Sequence, residues 1–576
     1  MTAKKVDLNE FYTNLSASIA LCADIMGKYA QKLPTQPQSI DPLNVGSAFF
    51  DAFSALSKEP EKLAEENLKL YQKLSKTWVE TAEDFLAKKP HATAMKDRRF
   101  TAEEWENSPY FRFMKEAYLT YANWLTQLTA GIKHLSKDEK AKLEFYTRQF
   151  LDAISPSNYL VTNPEVLRAT LETNAQNLVQ GLKRLAEDIA RGNITQTDSS
   201  AFEVGKNLAT TPGKVVFRNE LFELIQYAPS TKQVFKTPLL FIPAWINKFY
   251  IADLRPDNSL VKWLVDHGYT LFMVSWVNPP AKLKDKGFED YMKQGLLEAV
   301  KQVQKFTGEK QVSAIGYCLG GTLLATTLAY LAGKKESPIK SATFLTTLLD
   351  FENAGDLKIF TDEAQISLLE KRMSQSGFLD GKEMALTFSM LRANDLIWSN
   401  VVNNYLLGKD PFPFDLLYWN SDSTRMPAKM HSFYLRNMYL NNNLVKKKLK
   451  FDGTAIDLTK IATPSYFLST LKDHIAPWKA TYEGAKLIKD AVFTLADSGH
   501  IAGVVNPPAK SKYPHWINGK LNKTPDEWLK GAKEEAGSWW ENWHKWNKDF
   551  AGNMVAARNI AKALENAPGS YVKERS

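Results

Sequence analysis

Apolar positions along this chain change their rhythm once, near residue 200. Before that point they recur at helical spacing, as in Ala48-Phe49-Phe50-Asp51-Ala52-Phe53 and Leu63-Ala64-Glu65-Glu66-Asn67-Leu68-Lys69-Leu70. Pro34, Pro37 and Pro42 break the first of these patterns into pieces. Residues 1 to about 90 therefore read as a helical surface appendage, or as helices that dock on a partner or a hydrophobic particle. From 91 to about 200 the spacing stays helical and the apolar residues turn aromatic: Trp105, Tyr110, Phe111, Phe113, Tyr118, Tyr121 and Trp124. Such a stripe reads as core or interdomain packing. Asn163-Pro164-Glu165 has the form of a helix entry, with proline in the first turn and an acid beside it. It predicts one helix running on to Ile189 and ending near Gly192-Asn193.

Beyond residue 200, short apolar runs alternate with helical stretches. Residues Val215 to Tyr227 predict an antiparallel pair at a sheet edge. Buried strands are expected at Leu239–Ile242, Thr270–Val274, Val312–Ile315, Ala342–Leu345, Ser465–Leu468 and Val492–Leu495. Continuous apolar strands separated by helices imply a parallel sheet covered on both faces. The stretch from Leu345 to Ser465 is too long for a crossover and reads as a cap inserted at about 350–455, a lid that excludes water from the strand ends. The expected division is a helical domain over 1–200, with 1–90 variable, and an α/β catalytic domain over 201–576.

Composition narrows the classes. A net charge of +9 over 576 residues is not gathered into a tract that argues for nucleic acid. Two cysteines, Cys22 and Cys318, exclude a disulfide scaffold and a cysteine-rich metal site, and suit a reducing, cytoplasmic compartment. No signal peptide is expected at the start. No apolar run reaches the roughly 18–20 residues of a membrane span, so the protein is expected to be soluble or to lie on an apolar surface. Neither G-x-G-x-x-G nor a phosphate-binding lysine loop occurs, nor a zinc motif; no cofactor and no metal is expected.

The chemistry centres on Gly316-Tyr317-Cys318-Leu319-Gly320-Gly321, which follows the strand Val312–Ile315 and precedes a small, apolar, helix-compatible run. Strand, sharp turn and helix make a nucleophile elbow, and a cysteine stands at its tip. A thiolate there lies near a helix N-terminus, whose dipole favours it. Thiolate and thioester exchange acyl groups at little cost in bond energy, so the expected chemistry is acyl transfer. A nucleophile needs a base and an orienting acid. Of eight histidines, His500 lies in a glycine-flanked loop after the last strand, and Asp473 ends the strand before it. The order Cys318, Asp473, His500 is that of α/β-hydrolases. His474 competes as the base, and its plain reading is a structural histidine beside the acid; His267 sits in a turn on the far side of the sheet. The oxyanion hole is expected from the backbone N–H of Leu319 and a second from the loop after Leu239–Ile242, with Ile246 and Trp245 as candidates. Lys446-Lys447-Lys448 reads as a solvated face, and Trp539, Trp543 and Trp546 as packing.

These segments resemble the class I polyhydroxyalkanoate synthases from about residue 95 onward. The elbow resembles their lipase-like box. Asp97-Arg98-Arg99-Phe100 with Trp105, and Asn163-Pro164-Glu165 with Asn174-Ala175-Gln176-Asn177-Leu178, resemble the N-terminal domain. Ile246–Ile251, Arg392–Trp398, Phe414–Asn420, Asp473–Trp478, Ser498–Gly503, Gly537–Trp540 and Ala567–Val572 match further motifs. Ala244 departs from the pattern, which has a second proline there. The resemblance implies an α/β-hydrolase fold and polymerisation of (R)-3-hydroxyacyl-CoA, typically short-chain such as 3-hydroxybutyryl-CoA, with release of CoA. It implies that Cys318 carries the growing polyester chain as a thioester and that His500 deprotonates it. Asp473 orients His500 or helps activate the 3-hydroxyl. It also implies a homodimer, work at the surface of cytoplasmic polyester granules, and contact with phasins. The alternative is a thioesterase or polyester depolymerase using the same three residues, in which water replaces the hydroxyl as acceptor.

Overall fold

The computed structural model describes residues 6–32, 45–87, 97–133 and 135–575. Pro34, Pro37 and Pro42 lie outside the described residues. The chain forms two compact units, one of Met1–Asp198 with Leu386–Phe412, the other of Ser199–Ala385 with Pro413–Ser576.

The first unit is helical. Its main helices are α1 (Leu8–Lys32), α2 (Val45–Leu56), α3 (Pro60–Ala87), α4 (Pro109–Ala130), α5 (Lys137–Ala153), α6 (Pro164–Glu172) and α7 (Gln176–Arg191). Asn163 caps α6 as expected, its side chain accepting from the N–H groups of Glu165 and Val166. The single helix expected from there to Ile189 is instead two. Asn174 and Ala175 take φ of 49° and 62°. The Asn174 N–H donates to Leu171 O and the Ala175 N–H to Thr170 O, the double closure of a Schellman motif with asparagine at its left-handed position. Tertiary bonds reinforce the break. The Asn174 side chain accepts from the Asp7 N–H at 3.0 Å and donates to Glu10 Oε2 at 2.6 Å, tying the start of α1 to the turn. Helix α7 then ends at Gly192, as its sequence predicts.

The segment Leu386–Phe412, which lies inside the stretch read as a cap, packs within this first unit. It carries two π-helical turns, Asn394–Trp398 and Val401–Leu406. Asn177 Nδ2 donates to Leu406 O at 2.7 Å, and the Tyr405 hydroxyl to Asp188 Oδ2 at 2.6 Å. Gly181 admits the Tyr405 backbone so closely that a Cβ would stand 1.8 Å from its carbonyl oxygen.

The second unit is built on an 11-stranded sheet. Its strands are β1 (Gly213–Arg218), β2 (Phe222–Tyr227), β3 (Leu239–Ile242), β4 (Leu271–Trp276), β5 (Val312–Tyr317), β6 (Ile339–Leu345), β7 (Ser465–Thr470), β8 (Val492–Ala496), β9 (His515–Ile517), β10 (Lys533–Glu535) and β11 (Glu565–Asn566). They lie in the order β10-β9-β8-β7-β6-β5-β3-β4-β2-β1-β11. The run from β4 through β3, β5, β6 and β7 to β8 is parallel. Strands β3, β4, β5 and β7 are buried at every residue, which is why they read as unbroken apolar runs. The antiparallel pair β1–β2 is present, with a bulge between Val215 and Phe217. It is not the end of the sheet, because β11 adds outside β1. The tryptophans of helix α8 (Trp539–Ala551) are packing: Trp539 and Trp543 are buried, and Trp543 Nε1 donates to Thr343 Oγ1 on β6 at 2.8 Å.

Gly181→Ala should lower the stability of the helical unit by about 1–3 kcal/mol, the cost of forcing a methyl into a filled contact. Urea unfolding followed by circular dichroism reads the effect; an unchanged midpoint would contradict the close approach of Tyr405.

Candidate active site

Strand β5 delivers the chain to the elbow. Tyr317 ends the strand, and Cys318 turns with φ 53° and ψ −117°, a region that side chains rarely occupy. The helix of the elbow (Leu319–Lys334) begins at the next residue. The turn is held by the Cys318 N–H donating to Leu345 O at 2.8 Å and by the Gly321 N–H donating to Cys318 O at 2.9 Å. A Cβ on Gly320 would lie 2.1 Å from Ile242 O, and one on Gly321 would lie 2.0 Å from Thr347 Oγ1. Only glycine lets the start of the helix touch the ends of β3 and β6 in this way. Cys318 itself is half-buried.

The acid and the imidazole arrive from the two following strands. Asp473 lies just past β7. Its Oδ1 accepts the N–H groups of Ile475 and Ala476, both at 2.8 Å. Its Oδ2 meets His500 Nδ1 at 2.7 Å. His500 lies past β8 in a loop that begins at Ser498, φ 81°. The Lys472 N–H donates to Ser498 O, and the Tyr317 hydroxyl to His500 O at 3.2 Å, so both neighbouring strand ends hold the loop. Cys318 is close enough to the same imidazole to favour its charged form. Burial opposes a charge on His500, but the Asp473 carboxylate and Cys318 outweigh it, and the imidazole is pushed up to about 10. Cys318, Asp473 and His500 are thus brought together.

The other expected residues take distinct places. Leu319 is the first residue of its helix, where an N–H has no partner within the helix. The loop Pro243–Lys248 runs past this point because Gly320 packs on Ile242 O and Pro243 O. Ile246 is half-buried in it. Trp245 is buried, and its carbonyl accepts from Thr424 Oγ1 at 2.9 Å. His500 provides an imidazole that meets Asp473, as the strand-end reading expects. His267 packs on Trp263, ring centroids 4.0 Å apart, and against His544 at 5.3 Å. Lys446, Lys447 and Lys448 are exposed, as a solvated face requires.

Two residues escaped the sequence reading. Tyr434 ends the helix Ala428–Tyr434, and Tyr439 lies in the π-helical turn Leu435–Leu440 that follows. The turn brings residues five apart together, with ring centroids 5.5 Å apart. Both are buried. Burial first, then neighbouring charge that includes Cys318, pushes both phenols up, so they remain hydroxyl donors. Nothing in an i, i+3, i+4 pattern marks such a pair; the only signal was the aromatic density of the segment. Trp245 packs edge-on against Tyr434 at 6.1 Å and so links this pair to the Pro243–Lys248 loop.

A parallel sheet with a cysteine at its elbow, an acid after β7 and a histidine after β8 defines an α/β-hydrolase fold, and residues 237–507 match the model of that fold. Residues 96–264 match the model described as the N-terminus of poly-beta-hydroxybutyrate polymerase (PhaC). The chain is 47% identical to a poly(3-hydroxyalkanoate) polymerase of Methylorubrum extorquens over 90% of its own length and 88% of the relative. It is 42% identical to the corresponding polymerase subunit of Cupriavidus necator over 91% of each chain. The chain belongs to the poly(3-hydroxyalkanoate) polymerase family, and so to the acyltransferases.

The His500 imidazole, assigned by its loss in His500→Gln, should titrate by NMR near pH 10 instead of its ordinary 6.5. Because its folded value is raised, its stabilisation is complete below about pH 6.5 and is lost as pH rises through about 10. Asp473→Asn removes the carboxylate and should bring the midpoint down. A wild-type midpoint at or below 6.5 would contradict the pairing.

Proposed function

We propose that the protein polymerises (R)-3-hydroxyacyl units from their CoA thioesters into a polyhydroxyalkanoate, with Cys318 as the covalent carrier. Family membership supports the reaction class. The observation that carries the assignment of residues is the buried contact of 2.7 Å between Asp473 and His500, with Cys318 beside the same ring. In this reading His500, whose raised affinity for a proton keeps it charged at neutral pH, already holds the proton of Cys318, and the sulfur attacks the thioester carbonyl. The oxyanion is met by the N–H groups of Leu319 and Ile246. CoA leaves and takes the proton from His500. The 3-hydroxyl of the next unit then gives its proton to His500 and attacks the carbonyl held on Cys318. The sulfur–carbonyl bond breaks, and the elongated thioester reloads the freed thiol. Asp473 holds Nδ1–H and keeps the other nitrogen facing sulfur.

The substrates in this reading are short-chain units such as 3-hydroxybutyryl-CoA, as in class I enzymes. The setting is a cytoplasmic granule surface with phasins, and the working form is a homodimer. No described helix is long and apolar enough to cross a membrane.

Purified protein given (R)-3-hydroxybutyryl-CoA should release CoA and deposit insoluble polyester. Release of CoA with free 3-hydroxybutyrate as the sole product would make it a hydrolase instead. Cys318→Ala should abolish turnover, and retained turnover would end the assignment. His500→Gln should slow turnover by about 10²–10⁴-fold, as loss of a general base does; an unchanged rate would hand that role to His474.

A further inference from the structure

The loop that carries Ile246 is held from below by a distant part of the chain. Lys248, two residues further on, is 3% exposed. Its Nζ donates to Val572 O at 3.2 Å and also to Glu574 O. Its own carbonyl accepts from Trp419 Nε1 at 2.7 Å. The Tyr250 hydroxyl donates to Asp422 Oδ2 at 2.9 Å, and Asn247 bridges to Ser423. Burial pushes the Lys248 ammonium below the usual lysine range, against the opposing charges of Asp422 and Glu574 and with some help from Arg575. An ammonium placed in such a site needs its protons donated to fixed acceptors, and main-chain carbonyls of 572 and 574 supply them.

Those carbonyls are themselves anchored. Val572 is 1% exposed. The Tyr571 N–H donates to Glu223 Oε2 at 3.1 Å and its hydroxyl to Asn219 O at 2.8 Å, fixing it against the β1–β2 turn. Arg575 lies over the Tyr418 ring at 5.1 Å, one residue before the tryptophan that binds the Lys248 carbonyl. Segment and loop therefore grip the same short helix, Asp415–Ser421.

We propose that the segment Tyr571–Arg575 is a strap that positions the oxyanion loop, and that Lys248 is the positioning residue through which it acts. The inference rests on the reading of the Ile246 N–H as an oxyanion donor. An N–H donor stabilises a developing oxyanion only when it is held in place beforehand. With the strap undone, the loop is free to turn that N–H away while Cys318 and His500, just after β5 and after β8, stay where they are.

The test compares Lys248→Met, Val572→Asp and the double variant in the full chain. Two rates are read at Cys318 by mass spectrometry: acylation by (R)-3-hydroxybutyryl-CoA and alkylation by iodoacetamide. Alkylation displaces iodide from a saturated carbon and forms no oxyanion, so it reports the thiol and imidazole alone. Each single variant should slow acylation at saturating substrate by about 10–100-fold, a loosened donor costing somewhat less than a deleted one. The KM and the alkylation rate should stay within about twofold of wild type. The double variant should be no slower than the worse single, because both cut one connection. Acylation at the wild-type rate, a parallel fall in alkylation, or multiplying effects would each overturn the strap. Should one single variant lose its thermal transition, the other decides by the same two rates. Absence of an acyl adduct on the wild-type enzyme would instead sink the functional reading itself.

Discussion

The second unit is organised around a steric constraint at one turn. Cys318 holds a backbone conformation that costs about 1–3 kcal/mol, and it does so because strand and helix on either side are fixed. The helix behind it is buried at every residue from Leu319 to Leu331. That burial places its first turn against Ile242 and Thr347, where no side chain fits at 320 or 321. The same approach that forces the turn also lays Ile242 and Pro243, where the Pro243–Lys248 loop begins, against the start of the helix. The turn and the close approach of the Pro243–Lys248 loop thus follow from a single packing event.

Charge is arranged around that turn with full hydrogen-bond satisfaction. The Asp473 carboxylate lies out of water, yet two main-chain N–H groups and an imidazole reach its oxygens. Hydrogen bonds to its oxygens offset part of the cost of burying such a group in a dry interior. Lys248 reaches the same end with the opposite sign, its protons directed at carbonyls. Main-chain groups thus meet both buried side chains, with the His500 imidazole added at Asp473.

The sequence disclosed what local physics dictates and hid what tertiary contact decides. Strands such as β3 and β5 are buried on both faces, so their apolar runs have no interruption and were easily read. The order of Cys318, Asp473 and His500 was legible because each sits at a strand end. Strands β9, β10 and β11 escaped notice: they are two or three residues long, at the sheet's edges, and the segment Lys533–Glu535 is fully polar. The Asn174 break escaped because a left-handed asparagine resembles any helix-surface asparagine until the Asp7 N–H finds it. The π-helical turn that pairs Tyr434 with Tyr439 has no signature in a period of 3.6.

The assignment of Leu386–Phe412 to the helical unit has a bearing on how the protein is made. The groove at Gly181 and the Asp188 carboxylate are complete only when a stretch from deep within the second half of the chain is in place. Roughly two hundred residues must leave the ribosome between the two parts, which at ordinary elongation rates takes on the order of 10–40 s. Through that interval the nascent helices present an unfilled surface and a buried-to-be acid lacking its tyrosine. Synthesis from one end to the other therefore cannot finish the first unit before beginning the second; the two halves mature on a shared schedule, and the early one waits in a state that chaperones are suited to guard.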